Sequence, residues 1–333
     1  MESDCPVIIS RAPVRLSMGG GGTDLPSYYE KFGGFLMAAT ISKYVYISIN
    51  KRFYDSIRLS YSKTEIVDSV GQIEHPIFRE ALQMTQVKNQ IEIVSVSDVP
   101  SHCGLGTSSV FTVALLNGLY AHRKEYLSLH DLAGKACHLE IQILGQPIGK
   151  QDQYAAAFGG FKAYSFNPDG SVVVEPVRIS DDRLIELQDK LLLFHTNKER
   201  AASEILAQQN KNSQKGDPQT LENLHKIKAI GLQAKEIFEG KDLNLFGELL
   251  HEHWLTKKKL SAAVSSNEID EIYDHARKNG ALGGKLVGAG GGGFLMLYCA
   301  GDKKKLVSAM SEKGLQPMRF SFEHEGAEIV FRN

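Results

Sequence analysis

The stretch Pro100-Ser101-His102-Cys103-Gly104-Leu105-Gly106-Thr107-Ser108-Ser109 sets two glycines before three successive hydroxyls. Glycine lets backbone approach an anion where a Cβ would block it. Serine and threonine can cap a helix, contact phosphate oxygens or ligate Mg²⁺. Two carboxylates follow, Glu140 and Asp152, separated by a segment that contains Gly149-Lys150-Gln151. Two further glycine clusters stand apart, residues 19–22 ahead of Thr23-Asp24, and residues 288–293 with Ala289 as their one interruption. Four glycines in a row do not pack a core. They form either a flexible loop or backbone lining a ligand, with Asp24 at the end.

The elements around these residues narrow the chemistry. Residues 91–96 alternate isoleucine and valine, which predicts a strand, and residues 110–123 carry Phe111, Leu115 and Leu119 at helical spacing. The hydroxyl run therefore opens a helix, whose free N–H groups and dipole of about half a positive charge attract an anion. Ser128-Leu129-His130-Asp131 starts a second helix that runs to about Leu144, with Ala133, Cys137, Glu140 and Leu144 on one face. A lone carboxylate on an apolar face is costly, so Glu140 needs a cation (a metal, or a buried lysine or arginine) or a raised pKa. Asp152 heads a short helix to Phe158, as an N-cap or as a working group.

Elsewhere the pattern predicts strands at 7–17, 38–51 and 57–62, helices at 27–31 and 75–84, and a hairpin of 161–166 with 171–177. Residues 201–254 read as helical with breaks at 216–218 and 240–242. A helix at 268–278, a strand at 294–299, a helix at 302–313 and a final strand pair (318–323 with 327–331) complete the chain. We expect an α+β protein of two domains, residues 1–195 and 196–333.

With 333 residues, 42% hydrophobic and 23% charged, the chain has the balance of a globular protein. A net charge of −1 gives no field for nucleic acid or an anionic membrane, and no apolar run approaches a membrane span. Four scattered cysteines lack metal-ligand spacing and suggest a reducing, cytoplasmic setting. Gly288, Gly290 and Gly293 match the dinucleotide pattern G-x-G-x-x-G, but residues 294–298 read as a strand where that motif opens a helix. No Walker A or protein-kinase motif occurs.

Taken together, Arg11-Ala12-Pro13-Val14-Arg15 with Thr23-Asp24, the 100–109 stretch, and Lys285-Leu286-Val287-Gly288-Ala289-Gly290-Gly291-Gly292 resemble the three motifs of the GHMP kinases. The resemblance spans nearly the whole chain. It implies a two-domain GHMP kinase fold, with a ribosomal-protein-S5-domain-2-like N-terminal domain and a ferredoxin-like C-terminal one. It also implies ATP and Mg²⁺. Pro100, Gly104, Leu105, Gly106, Thr107, Ser108 and Ser109 would hold the nucleotide, while Ser108 and Glu140 would hold the metal. Ser109 stands where the family has alanine. Asp152 would accept or orient the acceptor hydroxyl proton, with Arg15 as its basic partner. Gly22, Thr23 and Asp24 would face the substrate.

The acidic residue and histidine that galactokinases place before Thr-Asp are Gly21 and Gly22 here, which would leave room for a bulkier sugar. The run Gly-Gly-Gly-Gly-Thr-Asp-Leu-Pro-Ser-Tyr-Tyr resembles the sugar-1-kinase branch that phosphorylates the anomeric hydroxyl of D-glycero-D-manno-heptose 7-phosphate. Another sugar, such as fucose or galactose, and a catalytically silent sugar sensor are the alternatives. A sugar phosphate needs basic partners, and the candidates are Arg11, Lys43, Lys162, Lys198 and Arg200. The glycine run at 288–293 would support the nucleotide loop. No nucleic-acid or membrane partner is expected, and the chain would act as a monomer or homodimer.

Overall fold

The computed structural model describes residues 7–198 and 202–333. Its strands are β1 (Ile8–Gly19), β2 (Gly34–Lys51), β3 (Ile57–Ser60), β4 (Thr64–Val67), β5 (Ile91–Ser97), β6 (Phe161–Phe166), β7 (Val172–Pro176), β8 (Leu191–His195), β9 (Ala281–Leu286), β10 (Phe294–Cys299), β11 (Gln316–Met318) and β12 (Glu328–Arg332). Its helices are α1 (Pro26–Phe32), α2 (Pro76–Met84), α3 (Thr107–His122), α4 (Leu129–Cys137), α5 (Gln151–Phe158), α6 (Asp181–Lys190), α7 (Ala202–Gln214), α8 (Pro218–Phe238), α9 (Asn244–Lys258), α10 (Asn267–Lys278) and α11 (Lys303–Glu312).

The first sheet runs β12-β1-β2-β5-β3-β4, with β6 on β2 and β7 on β6. The 18-residue β2 is its spine: residues 34–39 pair with β6, residues 45–51 pair with β5, and β1 lies antiparallel along the other edge. Helix α3 packs across β1 and β2. It buries residues on every side, from Val110 and Thr112 to Leu119 and Ala121, as a helix apolar all round must. The second sheet, β11-β8-β10-β9, is antiparallel throughout. Helix α9 crosses β9 at close range because Gly247 and Gly283 meet backbone to backbone.

Several expectations change. The chain enters the second sheet at β8, on the N-terminal side of residue 195, and returns to the first sheet at β12. The expected C-terminal strand pair does not form: β11 pairs with β8, Phe322 bridges Ile41, and β12 pairs with β1. Sequence alternation predicts a strand but does not reveal its partner. The helix expected through Leu144 ends as α-helix at Cys137 and widens into a π-helical turn, His138–Ile143. That turn carries Glu140, and π turns often mark functional positions. Helix α6 and strand β4 have no counterpart among the expected elements.

Candidate active site

Between β5 and α3 the loop turns through Gly104 (φ 84°) and Gly106 (φ 79°), both left-handed, and Gly106 caps α3 without a side-chain hydrogen bond. The first turn of a 16-residue helix is thus left to the cleft that it opens on. The loop is pressed between two neighbours. A Cβ on Gly104 would lie 2.4 Å from the Val287 carbonyl oxygen, and one on Gly106 would lie 2.9 Å from the Asp152 carboxylate. Phe294 N–H donates to the Cys103 carbonyl at 3.2 Å. The glycine run at 288–293 therefore buttresses the hydroxyl-bearing loop. Gly104→Ala should cost roughly 3 kcal/mol, from the overlap and the positive φ together; thermal unfolding measures it, and a loss below about 1 kcal/mol would show that the loop shifts freely.

Arg15, on β1, is buried beneath this loop. Its Nε donates to Asp152 Oδ1 at 2.7 Å, its Nη2 lies 2.6 Å from the same oxygen, and its Nη1 donates to the Gly104 carbonyl at 2.7 Å. One guanidinium thus fixes the carboxylate of α5 against the phosphate-type loop. Charge-assisted bonds of this kind are the strong ones.

Glu140 is wholly buried. Gln153 Nε2 donates to its Oε2 at 2.6 Å, and Ser108 Oγ donates to its Oε1 at 3.4 Å. Burial raises its pKa to about 7, against the lowering effect of the Gln153 bond. No lysine or arginine pairs with it among the described residues. A buried carboxylate with a hydroxyl beside it and no cation is a hard-oxygen pair that suits Mg²⁺. No group of three or more His, Cys, Asp or Glu side chains placed to hold a metal ion occurs among the described residues. Mg²⁺ needs none, since it keeps water and phosphate oxygens as its other ligands.

On the other side of Asp152 the cleft wall carries several polar groups. Asp24 Oδ2 accepts from Gln151 N–H at 3.1 Å and Oδ1 from Gly22 N–H at 3.0 Å. Burial raises the Asp24 pKa; the Gln151 N–H opposes this, and the charge of Asp152 adds to it. Ser17 Oγ and Gln151 Oε1 are buried in this wall without a partner among the described residues. The space in front of Gly22 is not empty: a Cβ there would lie 2.8 Å from Gln209 Nε2, which donates to the Gly22 carbonyl at 3.2 Å. A Cβ on Gly21 would lie 3.1 Å from Ser17 Oγ. The room that the glycines were expected to leave is instead filled by polar side chains from β1 and α7.

Residues 76–160 match the GHMP kinases N terminal domain, and residues 228–316 match the GHMP kinases C terminal domain. Over 334 residues the chain is 33% identical to the D-glycero-alpha-D-manno-heptose 7-phosphate kinase of Campylobacter jejuni, covering 96% of this chain and 98% of that protein. The chain belongs to the GHMP kinase family. It is an ATP-dependent sugar kinase with the family's two-domain fold of mixed α and β structure. A crystal structure described as a D-glycero-D-manno-heptose 1-phosphate kinase from Bacteroides thetaiotaomicron superposes with a TM-score of 0.80 at 27% identity, covering 97% of this chain and 99% of that one. An L-fucokinase/L-fucose-1-P guanylyltransferase of Bacteroides fragilis is 27% identical over 330 residues, which covers 87% of this kinase but only 34% of that longer protein.

In this GHMP kinase Arg15, Gly22, Asp24, Gly104, Gly106, Thr107, Ser108, Ser109 and Asp152 line one cleft, with Glu140 behind Ser108. Other expected site residues lie elsewhere. Thr23 is buried, with its hydroxyl 2.8 Å from the Gly20 carbonyl and accepting from Phe35 N–H at 3.1 Å, so it holds the glycine turn and is not among the residues that line the cleft. Leu105 is buried under the loop, where its carbonyl accepts from Arg15 N–H at 3.4 Å. Pro100 is exposed at the loop's start, outside the cleft lining. Arg11 pairs with Glu328 and stacks over Tyr44, because β12 lies beside β1. Lys198 pairs with Glu268. Lys43 and Lys162 do not line the cleft, and Arg200 falls outside the described residues. Ser17, Gln151, Gln209, His253, Lys257 and Lys285 line it without having been singled out. Gln151 and Lys285 stand inside recognisable motifs, which was the available signal; Gln209 and Lys257, on helices far along the chain, carried none.

Proposed function

We propose that this kinase transfers the γ-phosphoryl group of ATP to the anomeric C1 hydroxyl of D-glycero-D-manno-heptose 7-phosphate. The product would be the 1,7-bisphosphate, a step toward nucleotide-activated (GDP-) heptose. The observation that carries the reading is the buried polar wall of Ser17, Asp24, Gln151 and Gln209 beside Asp152, a surface suited to a polyhydroxyl ligand. The whole-length similarity to a heptose 7-phosphate kinase supports the choice of sugar.

In this reading Asp152 takes the proton of the C1 hydroxyl as that oxygen attacks the γ-phosphorus and the bond to the ADP oxygen breaks. Such transfers need positioning and charge neutralisation more than covalent help. Arg15 holds Asp152 in place through Nε and Nη2 and ties it to the Gly104 carbonyl. The loop of residues 104–109 and the start of α3 receive the ATP phosphates, with backbone N–H groups as donors. Ser108 and Glu140 would hold Mg²⁺, which offsets phosphate charge when bound. Asp24, locked by two backbone N–H groups, accepts hydrogen bonds from sugar hydroxyls.

We place the N-terminal domain at 1–195 and the C-terminal domain at 196–333, although β8, the first strand of the second sheet, lies just before that boundary. One chain supplies every residue named, so a monomer suffices and a homodimer is compatible. The requirement for ATP assigns the reaction to the cytoplasm. No helix among the described residues is long and apolar enough to cross a membrane.

A second sugar-1-kinase reading, with fucose as acceptor, is favoured by the similarity to the Bacteroides fragilis enzyme. The two heptose kinases also differ in the phosphate position that their descriptions carry, 7-phosphate in one and 1-phosphate in the other. A coupled ATP-consumption assay over heptose 7-phosphate, heptose 1-phosphate, free heptose, fucose and galactose separates these, with phosphorus NMR locating the new ester. Strong preference for the 7-phosphate with a new signal at C1 is expected; equal rates with free heptose would refute the assignment. Gln209→Ala should raise the KM for the sugar about tenfold while leaving that for ATP unchanged, the loss of one buried hydrogen bond. An unchanged sugar KM would remove Gln209 from the sugar wall.

A further inference from the structure

The cleft holds more basic side chains than its carboxylates pair with among the described residues. Lys285, on β9, is 2% exposed and lines the cleft, yet its Nζ has no hydrogen bond or ion pair among the described residues. Lys257, near the end of α9, is also buried; its Nζ donates to the Leu286 carbonyl at 3.2 Å and to the Gly288 carbonyl, and among the described residues it meets no carboxylate. His253, one turn earlier on α9, is buried with Nδ1 unpartnered in the same wall. Burial pushes the Lys257 pKa down to about 7, with the Arg15 charge adding to the shift, and it holds Lys285 well below the usual lysine range. Of the acids lining the cleft, Asp152 is taken by Arg15, and Asp24 is held by the Gln151 and Gly22 N–H groups.

A buried ammonium without a counter-charge is expensive, and natural proteins keep such groups neutral or give them an anion. Of the expected clamp candidates, Arg11 and Lys198 are paired to Glu328 and Glu268, and neither is among the residues that line the cleft. We propose that Lys285 and Lys257, with His253 beside them, form a phosphate oxyanion site in the C-terminal wall of the cleft, next to Arg15. Lys257 reaches the Gly288 carbonyl, and the residue 287–288 backbone touches Gly104, so the site adjoins the loop that receives the nucleotide. The ligand is a phosphate monoester dianion, either the group in transfer or a phosphate already borne by the sugar. This rests on the kinase reading for its ligand, and not on which sugar is the acceptor.

Inorganic phosphate is the probe, titrated calorimetrically into the full chain and into Lys285→Met, with Lys257→Met as the second variant. Each substitution should weaken phosphate binding about tenfold or more, while the phosphate-free variants unfold at the same temperature as the parent or higher, because a buried charge has been removed. Parent-like phosphate affinity in both variants would overturn the site, whatever the acceptor proves to be. Steady-state kinetics then name the source. A raised KM for the sugar phosphate with kcat retained assigns the acceptor's phosphate. A fall in kcat with both KM values retained assigns the phosphoryl group in transfer. If kcat and both KM values are unchanged, the lysines have no part in the reaction.

Discussion

Asp152→Asn is expected to lower kcat about a thousandfold while leaving sugar and ATP binding within a few fold of the parent. General-base catalysis by a positioned side chain supplies roughly 10²–10⁴ in rate, and in the proposed reading Asp152 is the group that takes the C1 hydroxyl proton. Asparagine is the useful replacement because it keeps the shape of the side chain and an oxygen for the Arg15 donors at 2.7 and 2.6 Å. Alanine would strand a buried guanidinium and confound activity with stability. Single-turnover kinetics with parallel calorimetry of sugar binding measure the split. A variant with more than about a tenth of the parental kcat would remove Asp152 as the base, and Arg15 would then act by charge alone.

Glu140→Gln should have opposite effects on activity and stability. With a folded pKa of about 7 against 4.5 for the free carboxyl, Glu140 keeps its proton in the folded protein where the unfolded chain has lost it. The sign follows directly: the contribution of Glu140 to the stability of the metal-free protein is full below about pH 4.5 and is lost as pH rises through 7. The loss is roughly 3 kcal/mol from this group. Glutamine is neutral at every pH, can accept from Gln153 and can donate toward Ser108. The variant should therefore be more stable than the parent at pH 8 without metal, with a flatter pH profile. It should also be at least about a hundredfold less active, because the hard-oxygen pair for Mg²⁺ is gone. Mg²⁺ should raise the parent's unfolding temperature at pH 8 more than at pH 5, where the proton competes with it, and should scarcely move the variant. An equal Mg²⁺ response in both proteins would place the metal elsewhere.

Local chemistry was legible in the sequence. The loop of residues 104–109, the strand before it and the helix after it follow from glycine, hydroxyl and apolar spacing, and the structure has them as β5, loop and α3. The polar nature of Glu140 on an apolar stripe was equally visible, although the π turn that carries it was not, since one extra residue per turn leaves no mark in a 3.6-residue pattern. The resemblance to GHMP kinases joined Arg15, Asp24 and Asp152 across long separations, and all three line one cleft.

Sequence by itself thus determined the nature of the loop, the α+β class and the three motifs, because each depends on residues near one another or on a family pattern. Only the tertiary structure decided which cations reach the cleft. Arg11 is drawn off by Glu328 because β12 returns to pair with β1, and Lys198 is drawn off by Glu268. Lys257 and Lys285 are brought in because α9 lies across β9. The same holds for the first glycine cluster: Gly21 and Gly22 announce missing side chains, but that Gln209 lies against Gly22 depends on α7 packing against a turn 187 residues away. Charge and volume at a site are sums over everything that folding gathers there, and no single stretch of chain carries that sum.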